Sequence, residues 1–317
     1  MKYKLLASLA AAALTLAAGQ AGMNAQDNSG IIYFESAGGI YSFDLATGQK
    51  IFLVEGMLPD VAPDGTLAFN RYSEQAGVQI FLLENGIERQ LTPCIAINSD
   101  PCSRSVWYAP AWSWDGSRLV AVKGYTFQDP MYPGSISLAG DSLAVINRQG
   151  EASVVLDTTA FADDYRECSV TNPVWLPDDA GIAFARGCRT HRDICILSFE
   201  NSKVECLSDQ YVENYPTFNA DGVMAFVSNR DYLDDKVEWE GRQLYIMDTD
   251  KTVSKISTPE LFKESLGGNC TEVSHPGWSP QGDKVVIGCQ GRIYIVDIVS
   301  REATYVASGK GPVWARN

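Results

Sequence analysis

"GKGPVWARN", residues 309–317, sets a bulky residue, Trp314, two positions after a proline, and the same spacing recurs in five segments upstream. The other copies are "LPDVAPDGTLAF" from Leu58, "APAWSWDGSRLVAV" from Ala109 and "NPVWLPDDAGIAFA" from Asn172. They continue as "YPTFNADGVMAFVS" from Tyr215 and "HPGWSPQGDKVVIG" from His275. Each full copy places a bulky residue two after the proline: Val61, Trp112, Trp175, Phe218 and Trp278. A tight turn of Asp, Gly or Asn follows, chemistry that joins antiparallel strands. Next come an apolar or alternating strand, such as "TLAFN" or "KVVIG", and a third strand, such as "QIFLLE" or "RIYIVD". A second tight turn then leads to a fourth strand. Four-stranded units repeated in this way predict an all-β chain, a β-propeller. A two-sheet sandwich leaves the recurrence unexplained.

The two ends fit the same phrase. "GIIYFESAGGIYSFDLATGQKIFLVE", residues 30–55, reads as a second, third and fourth strand without a first, and "GPVWARN" reads as a first strand alone. Pairing them completes one blade and removes an exposed sheet edge. The expectation is six blades over residues 26–317, with the ring closed by the C-terminal strand.

The first 25 residues read differently. Lys2 and Lys4 precede an apolar run from Leu5 to about Ala18 and then small residues, the pattern of a secretory signal peptide. The formal net charge is −14, and it becomes more negative without Lys2 and Lys4. Such a surface repels nucleic acid. No later stretch is apolar enough for an integral membrane segment. A periplasmic or secreted monomer is expected.

Eight cysteines behind a signal peptide read as disulfides, and the absence of CxxC pairs argues against zinc. Repeat equivalence suggests the pairing. Cys168 and Cys270 precede their tryptophans, Trp175 and Trp278, by similar distances, while Cys188 and Cys289 follow them. This predicts Cys168–Cys188 and Cys270–Cys289. Cys195 and Cys206 flank the turn at "ENSK", and Cys94 and Cys102 remain to close a small loop.

The repeat resembles that of the TolB-like propellers, the PD40 (WD40-like) repeat. "HPGWSPQG", "AFVSNRD" and "QLYIMDTD" carry the resemblance, which extends over nearly the whole chain after the leader. It implies the propeller and leaves function open, because a fold does not fix a function. The extra N-terminal domain of TolB has no counterpart here, so the partners of TolB are not carried over.

Loop lengths point to one working face. Loops between first and second strands are short, as are those between third and fourth. The long segments, near 93–108, 124–138, 157–171, 186–193, 229–242 and 257–274, all leave on the opposite face. Long loops on a rigid scaffold carry function. Their candidate binding residues are Trp107, Tyr108, Tyr125, Phe127, Tyr132, Tyr165, Arg189, His191, Arg192, Tyr232 and Trp239. Exposed aromatics beside charge are interface material. The acidic stretch "RDYLDDKVEWEGR" lacks the glycine and spacing of a calcium loop.

No catalytic constellation appears. "GDSL" at 140–143 lacks the α/β context and the histidine partner of a serine esterase. Two histidines, His191 and His275, are too few for a multi-histidine metal centre. No cofactor and no metal are expected. The expected function is a non-catalytic exported propeller that binds a protein or peptide partner of the cell envelope through its long-loop face. The alternative is an enzyme or carbohydrate-binding propeller acting on an extracellular polymer.

Overall fold

The computed structural model describes residues 30–73, 77–93, 105–128, 136–158, 168–188, 191–207, 211–230, 241–262 and 270–316. The leader and the Cys94–Cys102 pair lie outside these residues. The described chain is an all-β propeller, built from antiparallel meanders arranged in a ring.

One sheet takes β1 (Ile31–Ser36), β2 (Gly39–Asp44) and β3 (Lys50–Glu55), with β24 (Lys310–Trp314) on the inner side of β1. Ile32 stands opposite Trp314, and Tyr33 opposite Val313. The next meander is β4 (Met57–Val61), β5 (Leu67–Ser73), β6 (Gly77–Glu84) and β7 (Ile87–Gln90). It is followed by β8 (Ser105–Trp112), β9 (Arg118–Gln128), β10 (Ile136–Asn147) and β11 (Ala152–Asp157). Three further four-stranded sheets follow around the ring. They are β12 (Cys168–Trp175) to β15 (Val204–Cys206), β16 (Glu213–Phe218) to β19 (Val253–Lys255), and β20 (Val273–Trp278) to β23 (Ala303–Ser308).

Six separate sheets were expected, and hydrogen bonding gives a different partition. There are four four-stranded sheets and one eight-stranded sheet spanning β4 to β11. The two meanders of the large sheet join through a single parallel pair, Val78 with Val106. The beginnings of β6 and β8 run side by side there.

Local chemistry explains the regularity. In the first turn, the Gly65 N–H donates to the Ala62 carbonyl at 2.9 Å and the Thr66 N–H to Asp64 Oδ1 at 3.0 Å. The turn needs a left-handed residue, and Gly65 supplies it at φ 84°. In "LPDDAG" the same position falls to Asp179, at φ 55°. The Asp179 carboxylate is not idle: it accepts the N–H groups of Trp114 at 2.9 Å and Asp115 at 3.2 Å, tying neighbouring turns together.

Second strands are buried on both faces, which is why they read as unbroken apolar runs. Val120, Ala121 and Val122 have no exposure, and neither have Ala183, Phe184 and Ala185. Outer strands face water, with Ile51 at 46% and Phe52 at 52% exposed. The bulky residue after each proline fills the seam between sheets, and Trp112 and Trp175 are buried there. Trp175 Nε1–H donates to the Ala111 carbonyl at 3.1 Å, so the indole also bonds the preceding sheet.

Three of the four expected disulfides lie in the described residues and pair as expected. They are Cys168–Cys188, Cys195–Cys206 and Cys270–Cys289. Cys168 stands opposite Cys188 in register, and Cys195 opposite Cys206. The three bridges fit an extracytoplasmic, oxidising compartment. Among the described residues, no helix is long and apolar enough to cross a membrane.

Candidate functional site

Each first strand starts on the long-loop face and carries the conserved phrase of the repeat, a residue followed by proline. The structure gives all six preceding residues the same unusual backbone. Leu58, Ala109, Asn172, Tyr215, His275 and Gly311 have φ between 48° and 57°. Only the glycine adopts this conformation without cost. A proline ordinarily drives its predecessor to extended backbone. The reason for the departure is a bulge. In every first strand the register against the second strand slips at this point, for example between Tyr108 and Ala111 or between Ser274 and Gly277. The six bulges turn inward and together line a central channel with a cavity of about 120 Å³.

Freed backbone N–H groups find side-chain acceptors. The Leu58 N–H donates to Glu35 Oε1 at 2.7 Å, and the Ala109 N–H to Asn70 Oδ1 at 3.0 Å. Glu35 and Asn70 occupy matching positions on their second strands, where the other sheets carry apolar residues or glycine. This buried polar pair is a tether, with Asn70 also donating to the Trp107 carbonyl at 2.7 Å.

On the long-loop face the channel opens into a charged rim. Arg186 pairs with Asp193 at 2.9 Å, Arg230 with Glu213, Arg242 with Glu272, and Lys310 with Glu35 at 3.2 Å. The His275 ring packs against Tyr215, tilted by 39° with centroids 4.1 Å apart. Burial first, then the charges of Lys310 and Arg242, press the His275 imidazole down to about 4. Burial also lowers the Arg242 guanidinium, and the neighbouring charge of Arg192 adds to that.

Beside this rim lies a larger groove of about 620 Å³, walled by Glu35–Gly38, Glu55–Met57, Arg71, Tyr72, Gly291 and Ser308–Lys310. It forms where the loops are shortest. Tyr72 is 59% exposed and Met57 38%. The sequence reading missed both, because it looked for aromatics within long loops rather than in the gap between them.

The opposite face closes the channel. Asp60 Oδ2 accepts the Trp112 N–H at 2.6 Å, Arg316 Nη1–H donates to the Trp112 carbonyl at 2.9 Å, and Arg316 lies 3.8 Å from Asp60. Burial pushes the Asp60 carboxyl up, while Arg316 and the Trp112 N–H pull it back. A pit of about 250 Å³ opens alongside, between Trp114, Phe218, Pro280 and Trp314.

The expected binding residues divide. Trp107 is a correction: it is 2% exposed and packs against Ile80, Leu82 and Ala121, with Lys123 Nζ 5.5 Å above its ring. A large aromatic at the start of an inner strand gains more between sheets than in water. Tyr108 is half-buried, its hydroxyl 3.5 Å from the Val170 carbonyl. Tyr125 and Phe127 belong to a projecting hairpin rather than to a loop. They stand opposite Ala139 and Ser137, so β9 and β10 continue well past the sheet. Residues 186–188 and 191–193 are likewise paired strand, with Cys188 opposite His191 and Arg186 opposite Asp193. Arg192 lies on that paired strand beside the rim. Tyr132, Tyr165, Arg189, Tyr232 and Trp239 lie outside the described residues. Among the described residues, no three His, Cys, Asp or Glu side chains converge as a metal site.

These features define a β-propeller with a proline-lined channel and one face richer in insertions. No family model and no curated protein matches the sequence. Solved structures do. TolB from Acinetobacter baumannii is similar at 18% identity with a TM-score of 0.63, over 92% of this chain and 68% of that one. A protein described as a TolB from Agrobacterium tumefaciens is similar at 19% identity and TM-score 0.53, over 87% and 86% of the two chains. Oligogalacturonate lyase from Vibrio parahaemolyticus follows at 15% and 0.51, over 88% and 80%. The fold is that of the TolB-like propellers.

Proposed function

We propose that this chain is an exported six-bladed propeller, closed by β24, that binds a protein or peptide partner of the cell envelope through its long-loop face. Six left-handed residues before proline, one per first strand, support the count. The eight-stranded sheet then reads as two blades touching at Val78 and Val106. Pairing of β24 with β1 supports the closure. Export to a periplasmic or secreted location, after removal of residues 1–25, rests on the leader pattern and on the disulfides.

The observation that carries the binding reading is the coincidence of three features on one face. The groove of about 620 Å³ and the charged channel rim both open there, on the side to which the sequence assigns its long connections. A groove with exposed Tyr72 and Met57 beside Arg71 and Lys310 offers an apolar anchor flanked by charge, the usual make-up of a protein-binding hot spot. The second reading, action on an extracellular polymer, draws on the lyase likeness, which speaks to fold alone.

The test is capture from envelope extract with three proteins: wild type, Tyr72→Ala/Met57→Asp in the groove, and Val299→Asp on the opposite face. Loss of a specific partner in the groove variant alone supports the reading. Equal retention by all three, or equal loss in the Val299 variant, overturns it.

A further inference from the structure

We infer that the groove over the N-terminal meander is a trough for one extended segment of a partner protein, about four residues long, lying from the channel rim outward across the turn at Ala37–Gly38. The inference rests on the protein-binding reading above and names the kind of segment that the groove takes.

Dimensions are the first argument. The groove is lined by Lys310 of β24, Glu35 of β1, Gly38 at the turn into β2, and Glu55 of β3. Those four strands are successive neighbours in one sheet. Neighbouring strands lie about 4.8 Å apart, so the trough runs roughly 14 Å from inner to outer strand. A volume of about 620 Å³ over that length leaves a width of roughly 7 Å. An α-helix with its side chains needs about 10–12 Å, whereas an extended chain covers the length with about four residues.

Construction is the second argument. Both walls are tied in place by hydrogen bonds to main chain. On one side Arg71 donates from Nε–H and Nη2–H to the Glu55 carbonyl, at 3.1 and 2.8 Å. Its guanidinium also pairs with Glu88 and lies over the Phe69 and Phe81 rings. On the other side the Gly309 N–H donates to the Gly291 carbonyl at 2.9 Å. A cleft held in this way exists before a ligand arrives, which lowers the ordering cost of binding. The floor is bare. Gly38 and Gly291 are left-handed, at φ 81° and 76°, in two-residue turns, and a side chain at either would enter open space.

Chemistry selects a peptide. Arg71 is engaged with Glu55 and Glu88, and Glu35 with Lys310 and the Leu58 N–H. Among the described residues, no Asn, Gln, Asp or Trp lines the trough, so a sugar chain would find few partners for its hydroxyls. Met57 and Tyr72, 38% and 59% exposed, instead offer an apolar wall. The ends carry opposite charge: the Lys310 side chain is 74% exposed at the rim, and Glu55 is exposed at the outer strand. An extended segment with an apolar side chain between an acidic and a basic residue complements all three.

The experiment uses the full mature chain and a phage-displayed library of linear heptapeptides, with oligogalacturonate as competitor. The expected result is enrichment of peptides that hold an apolar residue between an acidic and a basic one. Their affinity should fall at least tenfold in Gly38→Asn and in Gly291→Asn, because asparagine tolerates a left-handed backbone and fills the floor. Gly86→Asn makes the same change at φ 75° in the turn at Asn85–Gly86, on the opposite face, and should leave affinity unchanged. Ser308→Gln narrows the trough from one wall without touching a turn, and decides the matter if a glycine variant does not fold. Failure to enrich such peptides, unchanged affinity in the trough variants, equal loss in Gly86→Asn, or displacement by oligogalacturonate overturns the inference. Partner capture is read separately. If the glycine variants keep the partner that Tyr72→Ala/Met57→Asp loses, the trough fails and the protein-binding reading stands.

Discussion

Asp60 and Trp112 lie on first strands of neighbouring meanders, and the Asp60 carboxylate accepts the Trp112 N–H at 2.6 Å. Arg316, just past the strand that pairs with the N-terminal meander, reaches the carbonyl of the same Trp112. One tryptophan backbone is thus held from two sides, and both holders are buried or partly so. Removing the acceptor leaves a buried N–H and a guanidinium without their partner. Asp60→Ala should cost roughly 3 kcal/mol. Asp60→Asn keeps an acceptor and should cost less. Urea unfolding of the two variants checks the order.

Trp107 illustrates a binding candidate that became a core residue. Trp107→Ala should lower stability by about 3–5 kcal/mol through the cavity it leaves. Its effect on partner capture should follow the loss of folded protein. Trp239→Ala, by contrast, should weaken capture by about 2 kcal/mol or more at unchanged melting temperature if Trp239 anchors the partner. Parallel melting and capture assays separate the two.

The repeat was legible because its turn chemistry and apolar runs follow from local physics. "APDGT" and "SPQGD" announce turns whatever surrounds them, and runs such as "MAFVS" announce strands buried on both sides. The channel was not legible. Proline after Leu58, Ala109, Tyr215 or His275 argues locally for extended backbone, and the left-handed bulge appears only once six first strands converge on one axis. The rim was partly legible. "ARGCRTHRD" marked Arg192 as basic, but Arg242 sits in an acidic stretch and His275 at a strand start, so nothing local marks them as neighbours. Long-range placement of charge is the information a repeat pattern lacks.

Closure predicts a specific weakness. Deleting 311–317 removes most of β24 and exposes the edge of β1, including Ile32 and Tyr33 opposite Trp314 and Val313. The truncated protein should lose several kcal/mol, a large part of the margin of any domain. Melting at the wild-type temperature would sink the closure model.

Each disulfide should contribute about 3 kcal/mol by restricting loops of 20, 11 and 19 residues in the unfolded chain. Non-reducing peptide mapping should recover Cys168–Cys188, Cys195–Cys206 and Cys270–Cys289, and Cys94–Cys102 with them. A Cys188–Cys195 link would contradict both the register and the repeat argument. Paired serine variants, one bridge at a time, should melt lower than wild type.

His275 predicts how stability depends on pH. Its imidazole is moved from an ordinary 6.5 to about 4, by burial first and then by Lys310 and Arg242, and it packs on Tyr215. Between those two values the unfolded chain holds a proton that the folded chain refuses. Acidification therefore favours unfolding across that window. The penalty is absent above pH 6.5, grows as pH falls toward 4, and stops growing below it. Wild type and His275→Gln should be unfolded in urea at pH 7 and at pH 4.5. Wild type should lose more stability between the two, because glutamine has no proton to take up. Parallel losses would mean that the folded imidazole is already protonated at pH 4.5, and that burial, Lys310 and Arg242 do not hold it down.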